Sequence, residues 1–159
     1  MTQQSPGTAP HARPMRFQGV ANRIVRALLA TPLVSRGIGQ RLVTVHVVGR
    51  KSGRRFAVPV AFTRHEGALL IGTSFAWGRN LRTGEPVEVR YLGRLRRADV
   101  RVHTEEADVV RLYDVIARDN HQFAKFNGLG LDAAGNPDPD DLRAAWAAGA
   151  RVLELRVRD

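Results

Sequence analysis

The sequence has no cysteine, few aromatic residues and almost no lysine. Among its 159 residues none is Cys, aromatic residues make up 6%, and only Lys51 and Lys125 are lysines. The lack of cysteine excludes disulfide frameworks, thiolate metal sites and cysteine nucleophiles. The five histidines are not spaced like metal ligands, so we expect no metal site.

A long hydrophobic run is also missing. The longest apolar stretch, residues 42–48, is interrupted by Thr44 and His46 and is shorter than the roughly 18 residues that a membrane span needs. Residues 1–14 are rich in Gln, Pro, Thr and Ala and contain no apolar segment of the signal-peptide type. We therefore expect a disordered tail at residues 1–15, a single domain at residues 16–159 and a cytoplasmic protein.

Positive charge is in clear excess, with 25 Lys and Arg against 15 Asp and Glu and a net charge of +10. Such an excess favours an anionic partner: nucleic acid, a membrane surface or a multiply charged small molecule. Because aromatic residues are scarce and no strand alternates them with basic residues, we expect no nucleic-acid binding. Residues 20–30 show helical spacing of apolar residues flanked by Arg23 and Arg26, which predicts a helix that either packs on the domain or makes weak contact with an anionic membrane.

Hydrophobic periodicity predicts a mainly β (α+β) fold. Strands are predicted over residues 42–48, 56–64, 68–73, 86–92, 95–103 and 151–158, and helices over residues 105–118, 121–127 and 139–148. Pro59 places the second strand at a sheet edge or a bulge, and Thr104 and Asp138 are the predicted N-caps of the first and last of these helices. Short strands joined by sharp turns indicate an antiparallel barrel of about six strands with peripheral helices.

A basic turn, residues 49–55, is the densest candidate site. It holds four cations and a hydroxyl around two glycines, and the candidate anion-binding residues in it are Arg50, Lys51, Ser52, Gly53 and Arg54. Glycines let backbone N–H groups approach an anion, and arginine and lysine bind phosphate. The pattern equally fits a charged hairpin tip that discourages edge-to-edge aggregation.

A second candidate segment follows the third predicted strand. It places small hydroxyl residues before an aromatic residue and an amide, and its candidate residues are Thr73, Ser74, Trp77, Asn80 and Leu81. Such a set can hold a planar heteroaromatic ring, whose edge would bond to backbone groups near Thr73 and Ser74. The alternative is that Trp77 and Leu81 are core residues that close one end of the barrel.

A third segment, residues 121–127, is aromatic and polar and is a candidate wall of a substrate pocket. His121 in it is a candidate proton donor. A lone histidine of this kind is more often exposed or simply hydrogen-bonded, and both interpretations stay open.

In this order and spacing, the basic turn and the second segment resemble the deazaflavin-dependent nitroreductase family, part of the split β-barrel flavin and deazaflavin oxidoreductases. The matching features are Gly-Arg-Lys-Ser-Gly at residues 49–53, Pro59 in the following strand, and Trp77, Asn80 and Leu81 in a Trp-x-x-Asn-Leu pattern. A proline before a Val-x-Val strand, at residues 86–89, matches as well. The resemblance covers roughly residues 20–103.

The resemblance implies a fold like that of the flavin reductases and pyridoxamine oxidases, and a homodimer. It implies coenzyme F420, the 8-hydroxy-5-deazaflavin, as cofactor, with FMN as the alternative. The basic turn would hold its phosphate or oligoglutamate tail, Pro59 would belong to the same site, and the second segment would face the ring. Hydride transfer to a quinone, enone or nitroaromatic would be the activity. A non-catalytic carrier of a flavin, lipid or haem-type ligand is the alternative function.

Overall fold

The structure is a computed structural model that describes residues 41–159, so the predicted tail (1–15) and helix (20–30) lie outside the described residues. The strands of this part are β1 (Leu42–Val48), β2 (Arg55–Ala61), β3 (Thr63–His65), β4 (Ala68–Thr73), β5 (Val87–Tyr91), β6 (Arg94–His103) and β7 (Arg151–Val157). The helices are a 3-10 helix (Ala76–Asn80), α1 (Glu106–Asp119), α2 (His121–Phe126) and α3 (Pro139–Ala147).

All seven strands form one antiparallel sheet in the order β2-β1-β5-β6-β7-β4-β3. The two edge strands, β2 and β3, are consecutive in the chain and are separated only by Phe62. Because one residue spans only about 3.8 Å, the two edges of the sheet must meet at Phe62. The sheet is therefore curled into a half-barrel, which confirms the predicted mainly β fold with peripheral helices.

The prediction of one strand over residues 56–64 is wrong, because a corner at Phe62 divides these residues between β2 and β3. Phe62 is buried, donates its backbone N–H to the carbonyl of Arg41 (3.0 Å) and packs edge-on against Tyr91 at a ring separation of 5.7 Å. This corner ends β2 and sends the chain to the opposite edge as β3, which makes seven strands instead of about six. Pro59 lies in edge strand β2, as predicted, where its missing N–H costs no ladder bond.

Alternate residues of the strands fill the concave side of the sheet. Val43, Val45 and Val47 of β1 are at most 2% exposed, and they meet Leu153 and Leu155 of β7, which are fully buried. Side chains of a strand alternate between the two faces, so the intervening residues of β1 lie on the convex side. This apolar interior is the main core of the described residues.

The helices cover the convex side of β4 and β7 and form a second core. Val109, Leu112, Tyr113 and Ile116 of α1 pack there with Leu70 of β4. This is the stripe that the 3.6-residue periodicity predicts. None of the described helices is both long and apolar enough to cross a membrane.

The predicted caps have different outcomes. Asp138 caps α3 as predicted, because its side chain accepts from the backbone N–H of Asp140. Thr104 does not cap α1: the helix begins one residue later, Glu105 is at the N-cap position, and no side chain caps it. The carbonyl of Thr104 instead accepts the indole N–H of Trp146 (2.9 Å) and so joins this end of α1 to α3.

A histidine–carboxylate pair joins β6 and β7 beside α1. His103, 9% exposed, bonds through Nε2 to the Glu154 carboxylate (2.8 Å), and Arg156 donates to the other oxygen of that carboxylate (3.1 Å). Burial raises the pKa of Glu154, but the hydrogen bond from His103 and the charges of His103 and Arg156 outweigh it. The pKa therefore lies below the ordinary value of 4.5.

This pair predicts a pH dependence of stability. Since the folded-state pKa of Glu154 is lowered, its carboxylate stabilises the fold at neutral pH, and the contribution is lost as the pH falls below the ordinary value of 4.5 and through the lowered pKa. Glu154→Gln is expected to lower the urea midpoint at pH 7. It is also expected to reduce the fall of that midpoint as the pH is lowered. Glu88→Gln, which removes an exposed carboxylate, serves as the control; a Glu154→Gln curve parallel to the wild type over the acid range would contradict the assignment.

Tyr113 carries a buried hydroxyl that has no hydrogen-bond partner among residues 41–159. Its side chain is fully buried, and burial raises its pKa. An unpaired buried hydroxyl costs about 1–3 kcal/mol of desolvation. Tyr113→Phe is therefore expected to raise the free energy of unfolding by about 1 kcal/mol in urea titrations. A loss of stability would show that the hydroxyl has a partner.

Candidate functional site

The basic turn is a tight hairpin between β1 and β2. The N–H of Gly49 donates to the carbonyl of Arg54, and the N–H of Gly53 donates to the carbonyl of Gly49, both at 2.8 Å. Gly53 has φ of +66°, which favours glycine. The Ser52 hydroxyl accepts the Arg54 N–H (3.2 Å) and thus shapes the turn. Lys51 and the other side chains at its tip are exposed.

The two candidate segments contact each other directly. The backbone N–H of Arg50 donates to Asn80 Oδ1 (3.1 Å), and Arg50 Nε donates to the Asn80 carbonyl (3.2 Å). The Asn80 amide donates in turn to the carbonyl of Trp77 (3.0 Å). Arg50 also forms an ion pair with Glu85 at 2.9 Å. Asn80 therefore ties the basic turn to the 3-10 helix, and the Arg50 guanidinium is engaged by protein groups.

The 3-10 helix packs closely on the end of β4. A Cβ on Gly78 would lie 2.8 Å from Thr73 Cγ2, so this approach requires glycine. The buried Thr73 hydroxyl accepts the N–H of Phe75 (3.1 Å), which turns the chain out of β4. Ser74, between them, is exposed.

The remaining predicted residues lie in or beside the main core. Trp77 and Leu81 are 5% and 6% exposed and belong to the core that fills the sheet. The indole N–H of Trp77 is buried without a hydrogen-bond partner in the described part of the chain. Pro59 is half-buried opposite Thr44 of β1.

A cleft of about 620 Å³ opens where the basic turn meets the 3-10 helix. Of the predicted site residues it brings together Arg50, Gly53, Asn80 and Leu81; the others do not line it. Its further walls come from the end of β1, the basic turn and the start of β2, the chain leading into β5, the start of β5, and β6. These residues are His46, Val47, Val48, Gly49, Arg55, Arg82, Glu85, Pro86, Val87, Glu88 and Arg97.

Positive charge dominates this cleft. Four arginines face two glutamates there. Arg50 is paired with Glu85, whereas Arg55, Arg82 and Arg97 have no ion pair or side-chain hydrogen bond to any residue of 41–159. Residues 1–40 contain no Asp or Glu. The cleft therefore presents guanidinium groups that suit an anionic ligand.

His46 adds a polar group to the wall. Its Nε2 is buried and has no hydrogen-bond partner among the described residues. The register sets His46 beside Glu88, and Glu88 beside Arg97, in a row across β1, β5 and β6. Sequence reasoning missed this row and Arg82. The pairing of β1 with β5, which are not consecutive, leaves no local signal in the sequence.

The third candidate segment is mainly a packing element. Phe123 of α2 packs on Tyr113 at a ring separation of 5.0 Å, and both rings press on Gly72 of β4. The amide of Asn127 donates to the Phe123 carbonyl (2.8 Å). His121 is exposed, and nothing places it at the cleft. No group of side chains in residues 41–159 is arranged to bind a metal ion.

Comparisons with known proteins give weak likenesses. No family model matches the chain, and no curated protein matches it significantly. Among solved structures, a proposed 5-nitroimidazole antibiotic resistance protein from Bacteroides thetaiotaomicron has a TM-score of 0.47 and 12% identity, over 87% of this chain and 80% of that one. The conserved hypothetical protein Rv2991 from Mycobacterium tuberculosis has a TM-score of 0.46 and 13% identity, over 99% of this chain and 87% of that one. Likenesses at this level add nothing to the fold described above and assign no activity to this chain.

Proposed function

We propose that the protein is a deazaflavin-dependent oxidoreductase that transfers a hydride from the reduced 8-hydroxy-5-deazaflavin coenzyme to a small electrophilic substrate such as a quinone, enone or nitroaromatic. The observation that carries the proposal is the arginine-rich cleft at the junction of the two candidate segments. These are the segments in which the sequence resembles the deazaflavin-dependent family.

The size and charge of the cleft suit such a cofactor. A volume of about 620 Å³ lies within the range of roughly 300–1,000 Å³ that is usual for small-molecule and cofactor sites. The cofactor carries a phosphate and an oligoglutamate tail, which need cations that are not already paired. Arg55, Arg82 and Arg97 meet that need among the described residues, so we assign the anionic part of the cofactor to them.

The residues of the turn and the 3-10 helix have supporting roles in this proposal. Asn80 holds the turn in place through Arg50, and Leu81 and Val87 supply apolar wall to the cleft. The bound reduced cofactor supplies the hydride, while the protein binds and orients it and limits access of water. The scheme requires no acidic or basic residue.

A turnover assay tests this function. The protein is mixed with reduced deazaflavin and a naphthoquinone, and reoxidation of the cofactor is followed by absorbance against the same mixture without protein. Protein-dependent reoxidation supports the proposal. Binding of the cofactor without reoxidation by quinone, enone or nitroaromatic acceptors would favour the carrier function. Activity with reduced FMN alone would keep the reaction class and replace the cofactor.

A further inference from the structure

Two arginines, Arg79 and Arg151, lie close together at the end of β4, and neither lines the cleft. Arg151 begins β7 and is paired with Thr73 at the end of β4. Its Cδ lies 3.9 Å from the position that a Cβ would take on Gly78. Arg79 Nη2 lies 3.9 Å from the corresponding position on Gly149. Arg151 thus packs against Gly78, the residue before Arg79. Arg79 packs against Gly149, which lies two residues before Arg151.

No negative group balances this pair in the described part of the chain. Neither guanidinium donates a hydrogen bond or forms an ion pair with any residue of 41–159. Residues 1–40 offer no carboxylate side chain, since they contain no Asp or Glu. Burial, with the like charge of Arg79, lowers the pKa of Arg151. The two arginines are therefore close enough for their charges to interact.

The C-terminus of α3 explains only in part why the two arginines lie close together. A cation beside a helix C-terminus is favourable, because the last carbonyls carry partial negative charge. The carbonyls of Ala144, Ala145 and Trp146, however, already accept backbone N–H groups from residues 148–150. Neither arginine donates to them, so helix capping does not require two guanidinium groups here.

We propose that Arg79 and Arg151 form a second anion site, which binds a carboxylate or phosphate group of a ligand. Two guanidinium groups together bind such a group through several charge-assisted hydrogen bonds. The exposed Ser74, which follows Thr73, lies at the same end of β4. The proposal does not depend on the redox cofactor, because an anion alone is enough to test it.

Anion titration followed by NMR tests the site. Isotope-labelled full-length protein is titrated with inorganic phosphate and, separately, with benzoate, at constant ionic strength. Saturable shifts at the amides and guanidinium groups of Arg79 and Arg151 are expected. Tighter binding of phosphate would identify a phosphate ligand, and tighter binding of benzoate a carboxylate. No saturable shift with either anion would overturn the proposal.

Substitutions separate this site from general charge effects. Arg79→Gln and Arg151→Gln are each expected to weaken binding of the preferred anion by about tenfold or more, because each removes charge-assisted bonds. Arg94→Gln, at an exposed position on β6, is expected to leave it within about twofold. Equal losses in all three variants would contradict a specific site.

A stability measurement distinguishes an anion site from a helix cap. Without added anion, Arg79→Gln removes a like charge and is expected to leave the urea midpoint unchanged or higher. A lower midpoint would indicate that Arg79 mainly stabilises the end of α3, and would count against the proposal.

Discussion

Gly72→Ala is expected to destabilise the fold by about 1–3 kcal/mol, because overpacking a filled core has costs of this size. A Cβ at this position would lie 2.6 Å from Phe123 Cζ and 3.0 Å from Tyr113 Cε2. Both atoms belong to aromatic side chains held between α1, α2 and β4, so they have little room to move. Urea denaturation monitored by circular dichroism measures the loss.

A size-compensating variant provides the control for Gly72. Phe123→Leu shortens the side chain that the new methyl group would strike. If the clash causes the loss, Gly72→Ala is expected to cost less in the Phe123→Leu background than in the wild type, giving a favourable coupling between the two sites. Additive effects would mean that Gly72 matters for another reason.

Asn80→Ala is expected to have the second large effect, because Asn80 joins the two candidate segments. The substitution removes the acceptor of the Arg50 N–H and the donor to the Trp77 carbonyl. Two such hydrogen bonds contribute about 1–3 kcal/mol together. We expect a loss of that size in urea denaturation and weaker cofactor binding, because the basic turn loses its attachment to the 3-10 helix.

Asn80→Asp is the matched control for this prediction. Its carboxylate keeps the acceptor for Arg50 but sets an oxygen against the Trp77 carbonyl, so it is expected to lose less stability than Asn80→Ala, though not to match the wild type. If both variants lose the same amount, the contact with Arg50 does not hold the turn.

Local patterns predicted most elements of the described fold. The β-branched run of β1, the alternation in β5, the apolar stripe of α1 and the Asp138 cap each act over a few residues, so they are visible in the sequence. Phe62 could not be recognised as a corner, because its neighbours on both sides have strand character. Its role depends on the curl of the whole sheet, which brings Tyr91 against it.

Sequence patterns identified the two segments of the candidate site but not the cleft that they help to form. The basic turn and the Trp77–Leu81 segment were identified from residue types and a family resemblance, and the structure places Arg50 against Asn80. The cleft between them was not foreseeable. Arg97 reaches it only because β1 pairs with β5 and β5 with β6, a register set by the packing of the sheet rather than by any local motif.

The most direct test of the central claim is a fluorescence titration with oxidised deazaflavin coenzyme. The wild-type protein is compared with Arg97→Gln in the cleft and with Arg94→Gln, an exposed arginine on the same strand that does not line it. The cleft site predicts saturable binding that Arg97→Gln weakens about tenfold, as for a lost charge-assisted contact, and that Arg94→Gln leaves unchanged. Absence of binding to the wild type, or equal loss in both variants, would contradict the account.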